Sequence, residues 1–157
     1  MKSIAVIAIG SRIMMDDGIG VWVAEATENT LNEENVDVVL AETDYEYGFD
    51  AAKAYDYVFV LDAMASGNTP GKITVFPLSS AEVKKSDASQ HDMSLIDMLV
   101  RDGNPPGSLI GIEAHEVDFG FGLSQTLQEK FEEICRGVLT EILKIKEGLA
   151  DARQRAF

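Results

Sequence analysis

Ile4-Ala5-Val6-Ile7-Ala8-Ile9-Gly10-Ser11-Arg12-Ile13-Met14-Met15-Asp16-Asp17-Gly18-Ile19-Gly20 decides the fold of this 157-residue chain. Residues 3–9 read as a buried strand: from Ile4 the run is apolar without a break, β-branched at Ile4, Val6, Ile7 and Ile9. Gly10 ends the run. Asp16 and Asp17 stand where the exposed N–H groups of a helix start want an acceptor. Ile19, Val23, Ala24, Ala26 and, further on, Leu31 then follow with helical spacing. Strand, glycine-bearing turn and helix in this order open a parallel α/β sheet.

The alternation continues downstream. Residues 36–41 (Val-Asp-Val-Val-Leu-Ala) and 57–61 are predicted strands, with a short helix over 48–55 starting near Gly48. Ser66-Gly67-Asn68-Thr69-Pro70-Gly71 is a turn. Lys72–Phe76 alternates as a strand and stops at Pro77, whereas 78–90 has little periodicity and is read as a loop. Met93, Leu95, Ile96, Leu99 and Val100 mark a helix closed by Asn104-Pro105-Pro106-Gly107, and residues 108–114 form a fifth strand. Ser124 caps a long final helix whose inner face carries Leu127, Phe131, Ile134, Val138, Ile142 and their neighbours. The expectation is one α/β domain over 1–148, a mostly parallel sheet with helices on both faces. A frayed polar tail is expected over 149–157.

Composition narrows the classes of function. Apolar residues make up 46% of the chain, but no run approaches the roughly 20 residues of a membrane helix. The first apolar run stops too early for a signal peptide. A lone cysteine, Cys135, excludes an internal disulfide and suits a reducing cytoplasm. Its neighbours Phe131, Ile134, Val138 and Leu139 mark it as a core position and not a nucleophile. Thirteen basic against twenty-seven acidic residues leave a net charge of −14. Such a surface repels phosphates and anionic lipid, which disfavours nucleic acid and membrane as partners.

Asp17, Asp62 and His91 are the candidate site residues. Asp17 follows the first strand, Asp62 ends the third (Tyr57-Val58-Phe59-Val60-Leu61), and His91 sits in Ser89-Gln90-His91-Asp92. If the first and third strands are parallel neighbours, their carboxyl ends open onto one crevice. Two carboxylates and an imidazole suit nickel, zinc or a similar ion with positions left for a substrate, or they form an acid/base centre. Asp16 is expected to serve the turn, capping the helix, and His115 is a second-choice imidazole. The phenylalanines of Phe119-Gly120-Phe121-Gly122-Leu123 are expected to pack under the final helix, with a partner contact as the alternative. Residues 10–20 are not a phosphate loop. They lack the Gly-Lys-Ser/Thr ending and the GxGxxG spacing, and adjacent carboxylates would repel phosphate.

In order and spacing, Gly10 with Asp16-Asp17-Gly18-Ile19-Gly20, Leu61-Asp62-Ala63, Pro70-Gly71, Ser89-Gln90-His91 before Leu95, Gly111-Ile112 and Gly122-Leu123-Ser124 resemble one family. It is the maturation endopeptidases of nickel-iron hydrogenases, and the likeness runs from Ile4 to about Leu143. The resemblance implies a twisted five-stranded sheet and an endopeptidase that removes a C-terminal extension from a nickel-loaded hydrogenase large-subunit precursor. It implies that Asp17, Asp62 and His91 bind the nickel. The ion would arrive with the precursor as a checkpoint of assembly, with no organic cofactor. Asp17 and Asp62 are then the candidate catalytic bases, with metal-activated water as the alternative. The implied partner is the precursor, met transiently by a cytoplasmic monomer.

Two departures stand out. Glu42-Thr43-Asp44-Tyr45-Glu46-Tyr47-Gly48 replaces a turn of the Asp-Gly-Gly-Thr type, and Ser11 stands where relatives often have Asn. The first bears on which precursor is recognised. Competing readings are a non-catalytic nickel-binding carrier or assembly chaperone, and a small-molecule enzyme of flavodoxin-like fold. Turnover of precursor separates the first, and stabilisation by nucleotides would favour the second.

Overall fold

The computed structural model of the chain describes residues 2–80 and 93–155. Five strands, β1 (Ile4–Ile9), β2 (Val36–Glu42), β3 (Tyr57–Met64), β4 (Ile73–Pro77) and β5 (Gly107–Glu113), form one sheet. The helices are α1 (Ile19–Glu33), α2 (Tyr45–Ala52), α3 (Met93–Asp102) and α4 (Gln125–Arg155), with a 3-10 turn over Met15–Gly18 before α1. Strand order is β2-β1-β3-β5-β4; β1, β2, β3 and β5 are parallel, and β4 runs antiparallel on the β5 edge. The expected architecture is present.

Burial explains this order. β1 and β5 are buried at every position and β3 at all but Tyr57, so these uninterrupted apolar segments take the centre. Half-buried β2 and β4 take the edges. Val6, Ala8, Phe59, Leu61, Ile110 and Ile112 pack one face of the sheet against α1 and α4. Ile7, Ile9, Val58, Val60 and Leu109 pack the other against Ala52, Leu95 and Leu99 of α2 and α3. The chain leaves β1 for β2 on one side and later returns to pair β3 on the other. The carboxyl ends of β1 and β3 therefore flank a topological switch point, the usual crevice for a ligand in such sheets.

Several boundaries differ from the sequence expectation for identifiable reasons. α2 opens at Tyr45, not at Gly48, because the Asp44 carboxylate caps it by accepting the Tyr47 N–H at 3.0 Å. β3 continues past Asp62 to Met64, since Asp62, Ala63 and Met64 pair with Gly111, Ile112 and Glu113 of β5. On α1, Ala26 faces solvent, and Val21 and Thr27 join the buried side in its place. The predicted frayed tail from 149 is helical as far as Arg155. Leu149 packs on the core, and alanines at 150 and 152 favour continuation. Ser124 does cap α4, through a 3.3 Å bond from Leu127 N–H to its Oγ. Cys135 packs against the core half-buried, and burial, with Glu132 nearby, pushes its thiol up to about 11. It is a protonated packing residue at neutral pH. Among the described residues, no helix is long and apolar enough to cross a membrane.

Candidate active site

The site is built by a sharp reversal after β1. Gly10 adopts φ +130°, and a Cβ there would lie 2.1 Å from the Asp17 carbonyl oxygen. Only a bare α-carbon lets the chain fold back so closely. The reversal aims the Ser11 N–H at Asp17 Oδ2, 2.9 Å away, and so fixes the direction of that carboxylate. Asp17 is almost fully buried.

α1 then approaches β3 at contact distance. A Cβ on Gly20 would sit 2.6 Å from the Leu61 carbonyl oxygen and 3.1 Å from Asp62 N. The Asp17 turn also packs against β3. Asp62 is itself fully buried, with Oδ1 accepting the Ala63 N–H at 2.8 Å. It alternates with Val58 and Val60 and so faces the α2 and α3 side of the sheet. Asp17, in the turn after β1, and Asp62, near the end of the neighbouring parallel strand β3, are thus brought to the same end of the sheet, where Gly20 of α1 meets β3. Gly20→Ala is expected to cost roughly 1–3 kcal/mol, because the intruding methyl must push helix and strand apart. A thermal unfolding midpoint equal to that of the wild type would contradict the close approach.

Asp16 does not cap the helix as expected. No side chain caps α1, and Asp16 instead ties the turn to the 115–124 loop. Its carboxylate accepts N–H groups of His115 (3.0 Å), Glu116 (2.8 Å) and Ser124 (2.7 Å), and the Ser124 hydroxyl (2.7 Å). With four donors on a fully buried carboxylate, Asp16 is a structural fastener. His115 meets the site only through its backbone, and the residue is exposed. The reading that placed Phe119 and Phe121 under the final helix is wrong, because both rings are solvent-exposed. Asp16 fastens the two ends of the loop that carries them.

His91 lies outside the described residues. Among those that are described, no three His, Cys, Asp or Glu side chains form a group able to hold a metal ion. Glu113 was not singled out from the sequence. It is buried at the end of β5 and accepts bonds from Ser66 N–H, Ser66 Oγ and Gly67 N–H at 2.9, 2.5 and 3.3 Å. It braces the turn that follows β3. The signal available was a lone acid closing an apolar strand opposite a Ser-Gly turn.

The model of a known family, described as hydrogenase maturation protease, matches residues 21–141. This chain belongs to the hydrogenase maturation protease family. It is therefore grouped with processing endopeptidases. Asp62 and His91 fall within the matched residues, and Asp17 lies just before them. Solved structures agree on the fold of this maturation protease. The hydrogenase maturating endopeptidase HybD from E. coli aligns with TM-score 0.71 at 22% identity, covering 90% of this chain and 92% of that one. The [NiFe] hydrogenase maturation protease HybD from Thermococcus kodakarensis gives 0.66 at 23%, covering 89% and 97%. HycI from Thermococcus kodakarensis KOD1, also a [NiFe] hydrogenase maturation protease, gives 0.64 at 25%, covering 91% and 94%. Among curated proteins, none matches the sequence significantly.

Proposed function

We propose that this protein cleaves a C-terminal extension from a nickel-loaded hydrogenase large-subunit precursor, and that the precursor's own nickel is the element recognised. The observation that supports this best is the division of labour between adjacent acids. Asp16 is committed to four donors of the 115–124 loop. Asp17 accepts the Ser11 N–H and Asp62 the Ala63 N–H, beside the topological switch point of the sheet. The turn that carries Asp17 packs against β3, which carries Asp62, and carboxylates brought close favour a cation between them, because its charge offsets their repulsion. Oxygen donors with an imidazole match nickel, and His91 is the imidazole we assign.

In this reading nickel is part of the substrate. Asp17, Asp62 and His91 grip it and so hold the adjoining peptide bond in register. Asp17 or Asp62 takes a proton from the attacking water as its oxygen bonds to the scissile carbonyl carbon. The C–N bond then breaks, and the leaving amine receives that proton. A precursor lacking nickel loses its grip on the crevice and stays uncut. The protein acts as a cytoplasmic monomer that meets its precursor transiently, consistent with a single protonated thiol and a net charge of −14. A cavity of about 710 Å³ between α2 and α3, lined partly by Asp44, Glu46, Asp97 and Arg101, lies where the 42–48 segment departs from the Asp-Gly-Gly-Thr type. It is the place to look for choice among precursors.

The deciding experiment is intact-mass spectrometry of hydrogenase large-subunit precursors incubated with the protein, each nickel-loaded and nickel-free. Loss of one C-terminal peptide from a loaded precursor alone is the expected result. If no loaded precursor is cut, although a cell extract cuts it, the carrier or chaperone reading replaces this one.

A further inference from the structure

Four large apolar side chains stand in water on loops bonded to the turn that carries Asp17. Phe119 is 78% exposed, Phe121 76%, Ile13 53% and Val117 52%. They are not scattered, because the two segments that carry them are bonded together. Gly120 N–H donates to Ile13 O at 2.8 Å, Met15 N–H to Gly120 O at 3.0 Å, and Gly122 N–H to Arg12 O at 3.3 Å. The Phe121 ring meets Trp22 edge-on at 5.4 Å. A shallow hollow of about 320 Å³, lined by Trp22, Gly122, Leu123, Gln128 and Phe131, extends the surface. Aromatic rings clustered in water next to a hollow are the usual form of a contact surface. Asp16 pins the backbone of this loop at both ends, so little freedom remains to be lost when something binds.

Position and charge say what covers it. Ile13 lies four residues before Asp17 on the same reversal, so a molecule resting on Ile13 and Phe119 also reaches the candidate site. The surroundings are acidic. Glu116 and Asp118 alternate with the apolar residues, and Glu25 and Glu42 flank Arg12. Arg12, stacked over Trp22 at 4.6 Å, is bound to Glu25 at 2.8 Å and Glu42 at 3.2 Å. It leaves the rim negative.

We infer that this surface docks the folded body of the precursor, through an apolar patch bordered by Lys or Arg next to the segment to be cut. The inference rests on the endopeptidase reading above and adds the surface on which the substrate is held. A second copy of this chain fits badly, since acidic rim would meet acidic rim.

The test places the photo-crosslinker p-benzoylphenylalanine at position 119 and irradiates the full chain with nickel-loaded precursor. In parallel, the Phe119→Ser/Phe121→Ser variant is compared with wild type in precursor cleavage. Expected are a cross-link to an apolar, base-flanked face of the precursor and a KM raised roughly tenfold or more with kcat nearly unchanged. A thermal midpoint close to wild type is also expected, because both rings are exposed. A cross-link without cleavage keeps the docking surface and defeats the peptidase reading. Cleavage without a cross-link, or with KM unchanged in the variant, overturns the docking surface. A cross-link only to a second copy of this chain overturns it in favour of self-association, and neither cross-link nor cleavage overturns both.

Discussion

Asp62→Asn is expected to leave a folded protein that no longer processes its precursor. The amide has the shape of the carboxylate, and its oxygen still accepts the Ala63 N–H bond that holds the side chain. What is lost is the negative charge and, under the proposed function, both a grip on the precursor's nickel and a proton acceptor. Removing a positioned general base alone costs on the order of 10²–10⁴-fold in rate. A simultaneous loss of nickel grip pushes the effect to the upper end of that range or beyond. The thermal midpoint should move by only a few degrees, since one buried polar group replaces another in a strand whose ladder to β5 is intact. Single-turnover cleavage of nickel-loaded precursor, read by mass, measures the first quantity. Scanning calorimetry measures the second. Full processing by a folded Asp62→Asn protein would remove Asp62 from the site.

The second large effect separates two neighbours in sequence. Asp16→Ala removes the acceptor shared by His115, Glu116 and Ser124, and leaves buried donors with nothing to bond. Breaking such a network costs about 3–5 kcal/mol. In a chain of this length that lowers the midpoint by on the order of 10 °C. Asp17→Asn, one residue later, is expected to resemble Asp62→Asn: nearly wild-type stability and little or no processing. Paired melting curves and cleavage assays on the two variants give a crossed pattern if the division of labour is right. Equal stability losses at 16 and 17 would mean that both aspartates serve the scaffold.

The legibility of this protein in its sequence follows the reach of the interactions. Strands β1 and β3 are continuous apolar runs, and α4 carries a long periodic stripe behind a Ser124 cap, so local pattern suffices for them. Asp17 and Asp62 also stand out locally, one in the turn after an apolar strand and one closing an apolar run, and the structure buries both. Gly48 misled because a glycine near a helix was read as its start. Its actual service is to let α2 lie against Ala41, where a Cβ would approach to 3.1 Å. Asp16 was read as a cap because a cap is a local device, whereas its partners stand 99 to 108 residues away. Phe119 and Phe121 read locally as packing under the final helix, with a partner contact as the alternative, because large apolar residues beside a helix usually go there; both rings are exposed.

The length of that tie has a temporal side. A growing chain makes β1, the Gly10 reversal and both aspartates early, but Ser124 is the last partner Asp16 must find. Closing so long a loop costs more entropy than closing a local turn, so this tie is expected to form after β1 and the reversal. The crevice therefore matures at the end of folding, and an unfinished polypeptide holds its acidic residues without the brace that orders them. Hydrogen exchange should register this as slow acquisition of protection at the amides of Glu116 and Ser124 relative to those of β1 and β3. Competence arrives only when the molecule is complete.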